Sequence, residues 1–330
     1  MIKKYSLLVA ATACFLLIGV AAAGQPYRVI FGNYFGPTHP NTKMMERFRE
    51  RLEKESNGAF RINLKPNNEI GGEEKLKELV KRGTIQIAML GGTAVKDDEP
   101  MLAAWDQPYV IDGWDHARAV FFDPEVKRFH GKYEDVTKCY IQGYVVNGFR
   151  VISCNFSLNS MADIRRMKLR VPLNEVLIKV FEGLGTNPTP MPMTELYTAL
   201  ETKVVDGQDN PYSTVKAMGW WEVQPYMLDS RHSFSVTNVV VNGKFYDGLP
   251  ADLRKLFDEA LADAIEYSWS ISEDDENESI AFLESNGIKI VFPDDDFKRQ
   301  MIDSQTKVYE WMDANIPGNK EFREFCRERR

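Results

Sequence analysis

"YRVIFGNYFGPTHPNTKMMERFRERLEKESNGAFRINLKPNNEIGGEEKLKELVKRGTIQIAML", Tyr27 to Leu90, is the stretch that decides the fold. "YRVIFG" reads as a strand, and so does "AFRINLKP", with Phe60, Ile62 and Leu64 on one face. Between them Met44, Met45, Phe48 and Leu52 recur at helical spacing, with Asn41 as the expected cap and Asn57-Gly58 as the stop. "GGEEKLKELVKRG" is a second helix closed by Gly83, and "IQIAML" is a third strand. Strand-helix-strand-helix-strand in roughly 65 residues predicts a parallel sheet with crossover helices. Ligands of such sheets sit beyond the carboxyl ends of the strands. That rim holds Tyr34, Phe35, Glu73, Gly91, Gly92 and Thr93.

Working outward, the alternation restarts near Tyr144. "YVVNGFRVISC", "KLRVP" and "VVDGQ" read as strands; "SMADIRRM", "NEVLIKVFEGLG" and a segment capped by Thr194 read as helices. Two alternating blocks in one chain predict an α/β protein of two lobes, and "HSFSVTNVVVN" is placed to cross between them. From Asp252 to Ser285 apolar residues repeat at helical spacing until Asn286-Gly287. At ~1.5 Å per residue this helix is about 50 Å long, enough to brace both lobes. Its acidic run, Ser272 to Ser279, lacks the glycine and spacing of a calcium loop and reads as a solvated face. Residues 294–318 read as one further helix.

The chain begins "MIKKYSLLVAATACFLLIGVAAA": two lysines, an apolar run, then small residues. This is the layout of a secretory leader cleaved after about Ala23, and the run is short of the ~20 residues that span a bilayer. Removing Lys3 and Lys4 with the leader takes the net charge from −7 to −9. An acidic exported protein suits neither nucleic acid nor anionic lipid, so an anionic ligand needs local cations. Cys139, Cys154 and Cys326 remain, an odd number without metal-site spacing. They read as buried small side chains, with a Cys139–Cys154 disulfide left open by an oxidising compartment.

Signatures of catalysis are missing. The four histidines show no metal-ligand spacing, and neither Gly-x-Ser-x-Gly nor Gly-x-Gly-x-x-Gly occurs. No metal, cofactor or enzymatic activity is expected. What stands out is Arg150 in "GFRVI" and Arg170 in "LRVP", guanidiniums at strand ends among apolar neighbours. An arginine offers a planar five-donor fork matched to a carboxylate.

"MKLRVP", "GTNPTPMPMTELYTALETKVVDGQDNP", "EVQPY" and His232, with "GFR" twenty residues before "LRVP", closely resemble the periplasmic solute-binding subunits of tripartite ATP-independent (TRAP) transporters, dicarboxylate-binding DctP type. "GGEEKLKELVKRGTIQIAM" and "WDQPYVID" are similar to the family's first lobe, so the resemblance covers nearly the whole mature chain. It implies a two-lobed periplasmic solute-binding protein fold with crossing hinge strands and a long lobe-spanning helix. The expected division is 24–146 plus 236–270 for lobe I and 147–235 plus 271–330 for lobe II. It also implies an organic acid captured in the cleft and passed to a membrane permease driven by an ion gradient; a monomer is the default expectation. Alternatives are a co-receptor for a membrane sensor and an exported enzyme.

By matching position, Arg170 is the carboxylate clamp, Arg150 a second cation and Asn210 the ligand-binding amide. Tyr34, Glu73, Gly91, Thr93, Met193 and Thr237 fall where other members line the cleft. Sialic-acid binders of the family carry an acidic residue at the position of Gly91 and an arginine at that of Ala94. Both groups are missing here. Tyr34, Phe35, Trp105, Tyr109, Met193 and Trp221 are therefore expected to offer apolar faces to an aromatic or heterocyclic acid.

Overall fold

The computed structural model describes residues 25–330; the expected leader and its cleavage site lie outside them. Nine strands form one sheet: β1 Tyr27–Gly32, β2 Phe60–Lys65, β3 Ile87–Gly91, β4 Cys139–Cys154, β5 Leu169–Val171, β6 Thr189–Pro190, β7 Gly207–Asn210, β8 Tyr226–Asn242 and β9 Lys289–Val291. Their order is β2-β1-β3-β8-β4-β7-β5-β6, with β9 beside β8. At one end β1 is parallel to β2 and β3; at the other β5 is parallel to β6 and β7. The crossover helices expected from the sequence make these parallel pairs.

The two parallel ends meet through β4 and β8. These strands pair antiparallel from Cys139↔Asn242 to Cys154↔Tyr226, so both lobes share them. Their register slips between Ile141 and Gly143, Val146 and Gly148, and Arg150 and Ile152. The first two slips each insert one residue in β4, the third sets Asp229 to His232 of β8 against Val151, and all three bend the ladder. At Gly148 φ is +118° and a Cβ would stand 3.3 Å from Pro211 Cβ, so this bend requires glycine. Across the lobes a Cβ on Gly36 would stand 2.4 Å from the Ala217 carbonyl oxygen, so only a bare backbone fits there.

The long helix is Ala251–Ser285. Phe257 packs on Phe48 and Phe60 of the first lobe, and Leu283 belongs to the second lobe's core with Val151, Leu200, Tyr212 and Trp220. Near its middle Ser268 Oγ donates to Asn41 Oδ1 at 2.8 Å. That contact explains a departure from expectation. Asn41 is not the cap of helix Pro40–Glu55; His39 Nδ1 accepts from the Asn41 N–H at 3.1 Å, and Pro40 opens the helix.

The tail departs as well. The single helix expected over 294–318 is two, Asp295–Asp303 and Thr306–Asn315, parted at Ser304-Gln305. A third helix, Asn319–Arg327, presents Phe322, Phe325 and Cys326 to one side. It seats them against Trp105, with Phe322 at a centroid distance of 4.6 Å, and against Phe129. Its apolar face finds its seat on the first lobe, so the assignment of 271–330 wholly to the second does not hold for this helix.

Cys139, Cys154 and Cys326 are buried and free. Cys139 and Cys154 stand at opposite ends of β4, about 50 Å apart along the strand at ~3.3 Å per residue, which rules out a bridge. A thiol reagent should titrate none of the three in the folded protein and all of them after denaturation. Loss of thiol titre in the denatured, unreduced protein would contradict the assignment.

Candidate functional site

The carboxyl ends of β1, β3, β5 and β7 point at one cleft, a cavity of about 280 Å³. From the first lobe come Tyr34, Asn68, the start of helix Glu73–Lys81, Gly91 to Thr93, and Asp106. From the second come Asn147, Arg150, Arg170, Asn210 and an apolar wall of Pro172, Leu173, Leu177, Met191 and Met193. Ser235 of β8 closes the floor.

The two arginines differ in their partners. Arg150 Nε donates to Asp209 Oδ2 and its Nη2 to the Asp209 carbonyl oxygen, each at 2.6 Å. His232 Nε2 lies 3.4 Å from the same carboxylate oxygen. Burial works to raise the Asp209 pKa, but Arg150 and His232 outweigh it and hold the carboxyl below its usual range. Arg150 is thus neutralised from within.

Arg170 is not. It is 2% exposed, and its Nε and Nη2 both donate to the Met191 carbonyl oxygen, at 3.0 and 2.6 Å. No Asp or Glu pairs with it among the described residues. Burial, with repulsion from Arg150, lowers its pKa to about 10 against the more distant pull of Asp209 and Glu73, so it stays charged at neutral pH. The carbonyl orients the fork and leaves Nη1 without a protein acceptor.

On the opposite wall Glu73 Oε1 accepts the Gly91 N–H at 2.7 Å. Burial lifts the Glu73 pKa to about 7, and Glu74 and Asp106 add to it, against the Gly91 hydrogen bond and Arg170. The lack of a side chain at Gly91 is what admits this carboxyl, since a Cβ there would stand 2.9 Å from Glu73 Oε1 and 3.3 Å from the Tyr34 hydroxyl. Asp106 accepts from Asn174 Nδ2 and Ser235 Oγ, both at 2.8 Å. Burial raises its pKa. Asn210 Nδ2 donates to Gln208 Oε1 at 2.7 Å, which leaves one amide N–H and the amide oxygen uncommitted.

Of the residues expected from sequence, Arg170, Arg150, Asn210, Tyr34, Glu73, Gly91, Thr93 and Met193 line the cleft. Thr237 stands behind it, 3.0 Å from the Tyr34 hydroxyl, and fixes that ring. Phe35 and Trp221 do not line it. Phe35 is fully buried, its ring packed against both Tyr34 and His39 at centroid distances of 4.2 Å. Trp221 packs edge-on against Phe282 of the long helix. Trp105 is core, hydrogen-bonded to Asn238, and Tyr109 lines a separate hollow with Tyr309 and Arg323. The expected aromatic platform reduces to Tyr34.

Asp106, Asn147 and Ser235 were missed. Ser235 lies two residues before Thr237 on one strand face, a period that would have found it. Asp106 follows Trp105 in the quoted "WDQPY", but nothing local says that it faces Arg150's neighbourhood.

A cleft between two α/β lobes, with an oriented and unpaired guanidinium inside it, defines a solute-binding receptor. The chain belongs to the bacterial extracellular solute-binding protein family 7, whose model matches residues 31–315. It is 30% identical to the C4-dicarboxylate-binding periplasmic protein DctP of Rhodobacter capsulatus, over 85% of this chain and 84% of that one. A TRAP periplasmic solute-binding protein from Haemophilus influenzae, solved with bound L-gulonate, superposes with a TM-score of 0.88 at 30% identity, covering 92% of this chain and 100% of that one. The sugar-acid-binding protein DctPAm from Advenella mimigardefordensis, in complex with galactonate, gives 0.89 at 28%, covering 93% and 99%. The family is that of TRAP periplasmic solute-binding proteins, and no helix among the described residues is long and apolar enough to cross a membrane.

Gly91→Ala should push Glu73 off the Gly91 N–H. The strain and the lost hydrogen bond, about 1–1.5 kcal/mol, should lower folding stability, and with Glu73 displaced acid affinity should change as well. Calorimetry showing unchanged affinity would contradict the role given to this glycine.

Proposed function

We propose that the chain, exported with its leader removed after Ala23, captures a small hydroxylated organic acid between its lobes. The solute's carboxylate lies on Arg170, and the loaded monomer docks on the membrane permease of a TRAP transporter for uptake driven by an ion gradient. The bound solute is released unchanged. The observation that carries this reading is the buried Arg170 guanidinium, oriented by the Met191 carbonyl and without a carboxylate partner among the described residues. A backbone dipole does not offset a buried charge. An incoming carboxylate does, through charge-assisted hydrogen bonds to a fork that is already in place.

For the rest of the solute, Asn68, Thr93, Asn147, Asn210, Ser235 and Tyr34 offer neutral polar groups, Asp106 offers acceptors and Glu73 a carboxyl. Acceptors call for hydroxyl donors. The L-gulonate and galactonate bound by the two relatives at 30% and 28% identity support that chemistry. With Phe35 and Trp105 packed in the core and Trp221 set against Phe282, a hydroxylated acid fits this cleft better than an aromatic one. We take the lobes as 24–146 plus 236–270 and 147–235 plus 271–318, with helix Asn319–Arg327 returning to the first.

Calorimetry with L-gulonate, galactonate, succinate and benzoate tests the reading. A hydroxylated acid should bind most tightly; benzoate binding best would overturn the ligand class, and no binding by any acid would overturn the receptor. Arg170→Ala should cost about 2–5 kcal/mol of affinity, the scale for truncating one partner of a buried charged pair. Arg170→Lys should be nearly as weak because a point charge lacks the fork. Wild-type affinity in Arg170→Lys would contradict the clamp.

A further inference from the structure

The cleft carries a charge imbalance. Two guanidiniums, Arg150 and Arg170, face three buried or half-buried carboxyls: Asp209, Asp106 and Glu73. At the rim Glu74 is held by Lys77 at 2.7 Å, and Lys75, which also lines the cleft, is exposed, so water screens its charge and the imbalance is that of the buried groups. If all three carboxyls are ionised, an anionic solute would enter a pocket that is already net negative. We propose that the solute's carboxylate binds together with one proton, taken from solvent onto the Glu73 carboxyl. This rests on the acid-receptor reading above.

The choice of Glu73 follows from its partners. Asp209 is ion-paired with Arg150. Asp106 accepts hydrogen bonds from Asn174 and Ser235, which favour its anion. Glu73 accepts one hydrogen bond, from the Gly91 N–H to Oε1, and has no salt-bridge partner among the described residues. The groups facing it are Glu74 on its own helix, the Tyr34 hydroxyl after β1, Asp106, and Arg170 on β5; only Arg170 favours its anion. A solute carboxylate on Arg170 removes that help, and its own charge disfavours a second anion nearby. Burial already holds the empty-cleft pKa at about 7, so solute binding moves it higher still. The O–H formed on Glu73 then becomes a donor, and the cleft gains a hydrogen-bond type that the anion cannot supply.

Calorimetry with the best-bound acid of the panel, between pH 5.5 and 8.5 and in buffers of different ionisation enthalpy, tests this. Wild-type affinity should fall as pH rises above about 7, by up to ~tenfold per unit, with net proton uptake on binding. Glu73→Gln should lose both the slope and the uptake, whatever its affinity. Binding without a slope, or an equal slope in Glu73→Gln, overturns the proton and leaves the receptor standing. An absence of binding by every acid at every pH removes both. Without solute, the melting temperature of Glu73→Gln relative to wild type should rise from pH 4.5 to about 7. The raised carboxyl pKa costs the folded wild type stability across that window and no more above it. A flat difference overturns the proton assignment.

Discussion

A guanidinium out of water needs an anion, and the chain treats its two cleft arginines in opposite ways. Arg150 is given Asp209, and the pair is closed by His232 behind it. Arg170 is given only the Met191 carbonyl, which holds the fork in position without cancelling its charge. That difference makes one arginine part of the floor and the other a socket. The surroundings of Arg170 follow from it: short β5 between β6 and β7 is a rigid mount, and the prolines flanking Met191 help to set the carbonyl that aims the side chain.

The socket is useful only if the cleft around it is defined. Strands β4 and β8 run unbroken through both ends of the sheet, so the lobes are joined by hydrogen-bonded ladder rather than by loose linkers. Bulges and Gly148 bend that ladder next to Arg150 and bring Asn147, Arg150 and Ser235 to the base of the cleft. The long helix packs on the first lobe's phenylalanines near its start and on the second lobe's core near its end. Helix Asn319–Arg327 adds a second tie by returning to the first lobe. Cleft geometry is therefore set by elements distant from it in sequence.

Much of this was legible beforehand. The period-two and helical patterns from Tyr27 to Leu90 and the 34-residue apolar repeat after Asp252 gave the elements, because burial of one face leaves its period in the sequence. The rim also followed, since parallel strands place their carboxyl ends together. The errors are local and physical. Asn41 has the chemistry of a cap but is occupied by Val146 and Ser268 across the lobe. Tyr34 and Phe35 are equally aromatic and pack on each other, and it is the seat of Phe35 on His39 that leaves Tyr34 to see the cleft. Trp221 has a ring that the long helix claims.

By itself, then, the sequence determined the order of the elements, the two-lobed α/β class and the two arginines that stand among apolar neighbours at strand ends. These depend on periodicity and on side-chain chemistry, which are written residue by residue. Only the tertiary structure decided which arginine is neutralised, because Asp209 reaches Arg150 across 59 positions. It also decided that Glu73 sits where Gly91 leaves room, lifted toward neutrality by burial. Charge compensation and desolvation are properties of a packed environment, and no local stretch of chain carries them.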